Sequence, residues 1–324
     1  MNIKKMLSYR QTWMGFAILW ILYFHSGIIF PSVLNSIKLI GYGGVDIFIF
    51  SSGIGNYYSY LKDESPLVFI KRKISRLAPF YIPYIIIWCI YQTLNGTLNI
   101  LYIPGNILGI QSFSSSGISV NWYLSLIFTC YILTPYLASF IKTNNLKKDL
   151  LLVLVLIIAS TAFLNDDKFI IVLTRLPIYV IGMIFAKYKD AHVKNTLLPL
   201  SVLFIIGFIS LKFFSDNCQS LLWNYGLAWY PFILITPFLC YLISLFSMFC
   251  EHFKLSFIMY MPKMIGKITF EIFLIHFFIF DIVKEFNISL SKTNAGWLVL
   301  ILLSIALSFV YNRIIEKLII SKTK

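Results

Sequence analysis

The sequence predicts an all-α protein: a polytopic bundle of about ten transmembrane helices with both termini on the cytoplasmic side. Three observations carry this. The 324-residue chain is 59% hydrophobic and 12% charged, with a mean hydropathy of +0.83. A soluble domain is about 45–50% apolar and about 25% charged, so an ordinary globule is excluded. The apolar residues gather in runs near the length of about 20 that crosses a bilayer core as a helix. The basic residues alternate from side to side along those runs.

The first run, about 13–33, follows Lys4, Lys5 and Arg10. It is too long for a signal-peptide core and no small-residue cleavage site follows, so it reads as an uncleaved span. The second and third runs, 39–61 and 79–99, flank the basic stretch Lys71-Arg72-Lys73 and Arg76. The fourth, 120–141, opens on Asn121-Trp122-Tyr123, and the fifth, 148–164, follows Lys147-Lys148. The sixth, 170–187, contains Arg175; the seventh and eighth lie at 197–214 and 226–247. The ninth, 266–286, carries Glu271, His276 and Asp281, and the tenth is 296–315. Strands are excluded, because a membrane barrel needs short alternating segments. No repeat or linker divides the chain, so 1–324 is expected to be one membrane domain with spans over about 13–315 and no appended soluble domain.

The net charge of +14 would suit nucleic acid in a soluble protein. Here ten spans put 21 of the 27 basic residues on the side of the termini and 6 on the other. That asymmetry is the positive-inside pattern, which makes the termini cytoplasmic and leaves nucleic acid without a role. The five cysteines form no CxxC pair, so neither a disulfide framework nor a metal site is expected.

Ionisable side chains within spans are functional candidates, since each costs at least about 2.5–3.5 kcal/mol at mid-bilayer. At about 1.5 Å per residue, His25 lies about 18 Å and His276 about 15 Å from the cytoplasmic edge. Asp46 falls at about 20 Å and Arg175 at about 22 Å in a core about 30 Å thick. Four ionisable groups at one depth suit a polar reaction chamber. A neutral His is a natural general base for a hydroxyl. Asp46 is suited to orient it, and Arg175 to hold an oxyanion or an anionic group. Trp122, Trp223, Trp229 and Trp297 fit interfacial belts. Glu271, low in the ninth run, is a candidate to face the donor or to pair with Lys267, four residues before it.

The order of motifs resembles the membrane acyltransferase family 3, bacterial multipass enzymes that O-acetylate sugars and related acceptors. Met14 to His25 resembles its opening helix, which ends in a catalytic His. Gly44-Val-Asp-Ile-Phe-Ile-Phe-Ser-Ser-Gly53 resembles its Gly-Val-x-x-Phe-Phe-x-x-Ser-Gly segment. Phe69 to Pro79 resembles its Arg-x-x-Arg-x-x-Pro motif, with Lys73 in place of the first Arg. Asn121-Trp-Tyr-Leu with Tyr131 and Pro135, Thr174 to Gly182, and Gly266 to His276 complete the series. Met14 stands where the family usually has Arg, with Arg10 one turn earlier.

The resemblance implies an acyltransferase with His25 as a catalytic residue and Lys73 and Arg76 on the phosphates of acetyl-CoA; Asp46 joins His25 as catalytic on its own chemistry and depth. Arg175 and His276 would bind the acceptor, a cell-surface polysaccharide or its lipid-linked precursor. His25 would act as general base or as a transient acyl carrier. The setting would be a bacterial cytoplasmic membrane, with no metal. A glycan or lipid transporter with a polar midplane cavity is the alternative. It would be favoured by broken helices or inverted repeats, and the hydropathy pattern suggests neither.

Overall fold

The computed structural model describes residues 3–110, 113, 121–163, 167–190, 194–217 and 228–322. All described regular elements are helical. They are α1 (Ile3–Leu7), α2 (Arg10–His25), α3 (Ser32–Leu39), α4 (Gly44–Tyr60), α5 (Pro66–Leu94), α6 (Ile103–Ile107) and α7 (Asn121–Thr143). There follow α8 (Leu146–Thr161), α9 (Asp167–Leu173), α10 (Leu176–Lys187), α11 (Lys194–Asn217) and α12 (Tyr230–His252). The chain closes with α13 (Ser256–Ile265), α14 (Thr269–Glu285) and α15 (Asn294–Lys322).

Helix underlies each of the ten apolar runs. Five helices are long and apolar enough to cross a membrane, and a sixth span arises if the pair Val33–Leu39 and Gly41–Tyr60, bent by 48°, is counted as one.

Three runs are broken where the sequence suggested continuity. The first helix stops at His25, because Gly27 disfavours helix and Pro31 cannot continue one. Lys38 Nζ donates to the Ile28 carbonyl at 2.7 Å, and Asn294 Nδ2 donates to the Ile29 carbonyl at 2.7 Å, so the segment after His25 is held by side chains. The second run is cut by Gly41-Tyr-Gly43, which forms a single 3₁₀ turn before α4. The sixth carries a turn at Thr174–Arg175, between α9 and α10, yet Phe169–Lys187 still counts as one of the five candidate spans. One further boundary moves the other way. The basic stretch before the third span is not a loop: Lys71 to Arg76 lie inside the second and third turns of α5.

The chain forms two compact units. The first comprises residues 1–10, 46–73 and 104–249. Within it α10 packs against α7 and α8, and α9 against the same two helices. The α4–α10 crossing is close because both helices present glycine. A Cβ on Gly53 would lie 2.1 Å from the Tyr179 carbonyl oxygen, and one on Gly182 would lie 2.2 Å from that of Phe50. Further along both helices Tyr58 Oη donates to the Ala186 carbonyl at 2.9 Å, so α4 and α10 run in the same direction. A part-buried ion pair closes the far end of α10. Lys187 Nζ lies 2.9 Å from Asp149 Oδ2 and also donates to the carbonyls of Ile141 and Asn144.

The second unit comprises residues 11–45, 74–103 and 250–324. Its α14 packs along α15. The start of α2 meets the end of α13 through a second glycine contact. A Cβ on Gly15 would lie 1.8 Å from the Pro262 carbonyl oxygen, and one on Gly266 would lie 1.8 Å from that of Gln11 and 3.1 Å from the Gly15 nitrogen.

Candidate active site

The four intramembrane candidates fall into two pairs, one in each unit. In the second unit, Nδ1 of His25 lies 3.0 Å from Nε2 of His276. The rings are nearly parallel, inclined by 20° with centroids 5.2 Å apart. Nδ1 of His276 lies 2.9 Å from the Ile272 carbonyl oxygen, one turn back in α14. His276 is wholly buried, with the rings of Phe273, Phe277 and Phe280 at centroid distances of 5.7, 4.3 and 5.5 Å. His25 is half-buried and touches Phe277 at 4.6 Å.

The register explains how residues 251 positions apart meet. Gly15 lies ten residues before His25, and Gly266 lies ten residues before His276. The glycines fix the two chain segments together; helix then leads from Gly15 to His25 on one side, and a turn over 266–268 followed by the first two turns of α14 leads to His276 on the other. The sequence suggested Asp46 as the orienting partner of His25; the partner that the structure gives to its Nδ1 is His276.

In the first unit, Asp46 and Arg175 come together. Each precedes a glycine of the α4–α10 contact by seven residues, Gly53 and Gly182 respectively. Two turns of parallel helix, about 10 Å, therefore bring them to the same level. Asp46 lies in the first turn of α4, where the helix dipole favours an anion. It is 1% exposed, within electrostatic reach of Arg175, and its Oδ2 makes no hydrogen bond among the described residues.

Arg175 is also 1% exposed. It is the N-cap of α10, a position the dipole makes unfavourable for a cation. Three neighbours offset that. Its Nη1 donates to the Ile171 carbonyl at 2.9 Å, and its guanidinium lies 5.0 Å from the Trp122 ring and 4.9 Å from the Trp229 ring. Stacking on tryptophan faces is what a desolvated guanidinium does best. Trp122 and Trp229 are thus buried partners of Arg175, not an interfacial belt, and Trp297 is 3% exposed against Phe280. Trp223 lies outside the described residues.

On α5, Lys73 and Arg76 are three residues apart and share a helix face. Lys73 Nζ sits 5.3 Å from the centre of the Phe69 ring, and Arg76 is exposed. Their neighbour Arg72 is occupied: it pairs with Asp63 at 2.9 Å and donates to the Ser59 carbonyl at 2.6 Å. The Ser65 amide and Arg72 hold the Asp63 carboxyl below its usual range. Glu271 takes a hydrogen bond from Asn312 Nδ2 at 2.7 Å in place of the expected Lys267 pairing. Cys89, Cys130, Cys240 and Cys250 are free thiols, and Cys218 lies outside the described residues.

Sequence reasoning singled out His25, His276, Asp46 and Arg175 but missed how they pair. The signal that would have found the pairing is the equal spacing of each residue from a glycine.

Fold and site together define an integral membrane helical protein with a buried His–His pair and a buried Asp46 within electrostatic reach of Arg175. A family model described as "Acyltransferase domain" matches residues 15–313. The chain therefore belongs to acyltransferase family 3 and is an acyltransferase, acting in a bilayer with an acyl donor and an acceptor. Among curated proteins and solved structures none matches the chain.

Proposed function

We propose that this membrane acyltransferase moves an acetyl group from acetyl-CoA to a hydroxyl of a cell-surface polysaccharide or its lipid-linked precursor. It does so in a bacterial cytoplasmic membrane, with ten spans and both termini cytoplasmic. The observation that supports this reading most directly is the hydrogen-bonded His25–His276 pair, ten residues above a glycine contact. His25 ends its helix and is half-buried, so a substrate can reach it.

In the proposed reaction His25 takes the proton of the acceptor hydroxyl as that oxygen attacks the thioester carbonyl. The C–S bond breaks, the new ester forms, and the proton passes to the departing thiolate of coenzyme A. Lys73 and Arg76 attract the phosphates of the donor as charges on one helix face. Lys73 contributes charge without the bidentate fork of an arginine. Within the first unit, the Oδ2 of Asp46, unbonded among the described residues, can accept from an acceptor hydroxyl. The family usually places Arg at the position of Met14, and Arg10 lies on the same helix one turn earlier.

The bent pair α3–α4 is also the construction by which transporters build midplane sites. Dependence on the acyl donor separates the two readings. Membranes containing the protein, supplied with radiolabelled acetyl-CoA, should label an envelope glycan. Export of that glycan without acetyl-CoA and without label would favour the transporter.

A further inference from the structure

We infer that His276 is a positioning residue that holds His25 in the tautomer with its proton on Nδ1, so that Nε2 carries the reactive lone pair. This replaces the substrate contact that the sequence suggested for His276. It rests on the reading of His25 as the general base.

Donors and acceptors along the pair fix the protons. The Ile272 carbonyl, 2.9 Å from Nδ1 of His276, only accepts, so that nitrogen carries a proton. The ring sits among three phenylalanines with no exposure, and no carboxylate hydrogen-bonds it among the described residues. A charged imidazolium there is strongly disfavoured, so the ring is neutral and Nε2 bears a lone pair. Nε2 must then accept from its neighbour 3.0 Å away, and Nδ1 of His25 is the donor. A neutral imidazole has one N–H, which leaves Nε2 of His25 as its basic nitrogen. The direction is set from the helix inward: Ile272 carbonyl, His276, His25. With both nitrogens engaged, His276 has none to offer a substrate. The same logic governs triads, where the third group fixes the tautomer of the base. Here the third group is a neutral histidine locked by its own helix.

The test uses the full-length protein in membranes, radiolabelled acetyl-CoA as the probe and the cell-envelope fraction as acceptor. His276→Phe keeps the ring but removes the acceptor. It should lower kcat by about 10–100-fold, the effect seen when the partner that orients a metal-ligating histidine is removed, while leaving KM for acetyl-CoA unchanged. His276→Gln places an amide oxygen near the lost Nε2 and should recover most of the rate. On the wild-type protein, ¹⁵N NMR of labelled histidine, with His25→Ala assigning the signal, should show His25 protonated on Nδ1. Wild-type kcat in His276→Phe, a raised KM with unchanged kcat, or a His25 protonated on Nε2 would each overturn the inference. Where His276→Phe does not fold, the wild-type spectrum decides. An active His25→Ala would defeat the base reading, whereas an inactive His25→Ala with a fully active His276→Phe would defeat only the role given to His276.

Discussion

His25 and His276 are 251 residues apart in sequence and 3.0 Å apart at their ring nitrogens, because each stands ten residues beyond a glycine of one contact. That contact leaves no room for a side chain. Gly266→Ala would place a methyl 1.8 Å from the Gln11 carbonyl oxygen. Overpacking of this kind costs about 1–3 kcal/mol and here shifts α14 against α2. The expected outcome is a lower melting temperature in detergent and at least a tenfold loss of acyl transfer, about the effect of misplacing a reacting group. Gly15→Ala should behave alike. Full activity in either variant would show that the register does not depend on the glycines.

The Asp46–Arg175 pair predicts energetic coupling. Arg175 lies between two tryptophans, and its charge is within reach of a buried carboxylate. Arg175→Met and Asp46→Asn should each destabilise the protein. The double variant should lose less than the sum, with a coupling of about 0.5–3 kcal/mol. Thermal unfolding of the four proteins gives the cycle, and additive losses would mean that the two groups act independently.

Lys187 and Asp149 form a structural pair with no proposed chemical role. Asp149 is wholly buried, and Lys187 ties the end of α10 to the α7–α8 connection. Lys187→Met strands a buried carboxylate and should cost about 3–5 kcal/mol. Lys187→Met combined with Asp149→Leu should recover much of that, since an apolar replacement of a buried pair is often neutral. The KM for acetyl-CoA in the double variant should match that of the wild type.

Lys73 and Arg76 lie on one face of α5, and the donor reading gives them a kinetic signature. Lys73→Ala with Arg76→Ala should raise KM for acetyl-CoA and leave kcat nearly unchanged, since a phosphate contact far from the thioester is uniform binding. The wild-type KM should also rise with salt, because exposed charges are screened. A fall in kcat at constant KM would assign these residues elsewhere.

Much of this architecture was legible in the sequence. The helical class followed from composition and run length, and helix underlies every predicted run. The motif order identified the family that matches residues 15–313. What hydropathy could not show were the breaks at His25 and at Gly41 to Gly43 and the turn at Thr174–Arg175. A window of about 19 residues averages across a glycine turn that is itself apolar. Depth placed four ionisable residues at one level, but depth carries no information about which helices adjoin. Adjacency was encoded instead in Gly15, Gly266, Gly53 and Gly182, which admit a neighbouring backbone where any other residue would exclude it. Trp122 and Trp229 look like belt residues in the sequence because belts are the commoner use of tryptophan; the buried guanidinium between them gives them another role.

The central claim is that His25 takes the acceptor proton. It is tested most directly by His25→Ala in membranes supplied with radiolabelled acetyl-CoA, at matched expression and with an unchanged melting profile. Glycan labelling should fall by about 10²–10⁴-fold, the contribution of a positioned general base. Labelling at the wild-type rate would contradict it.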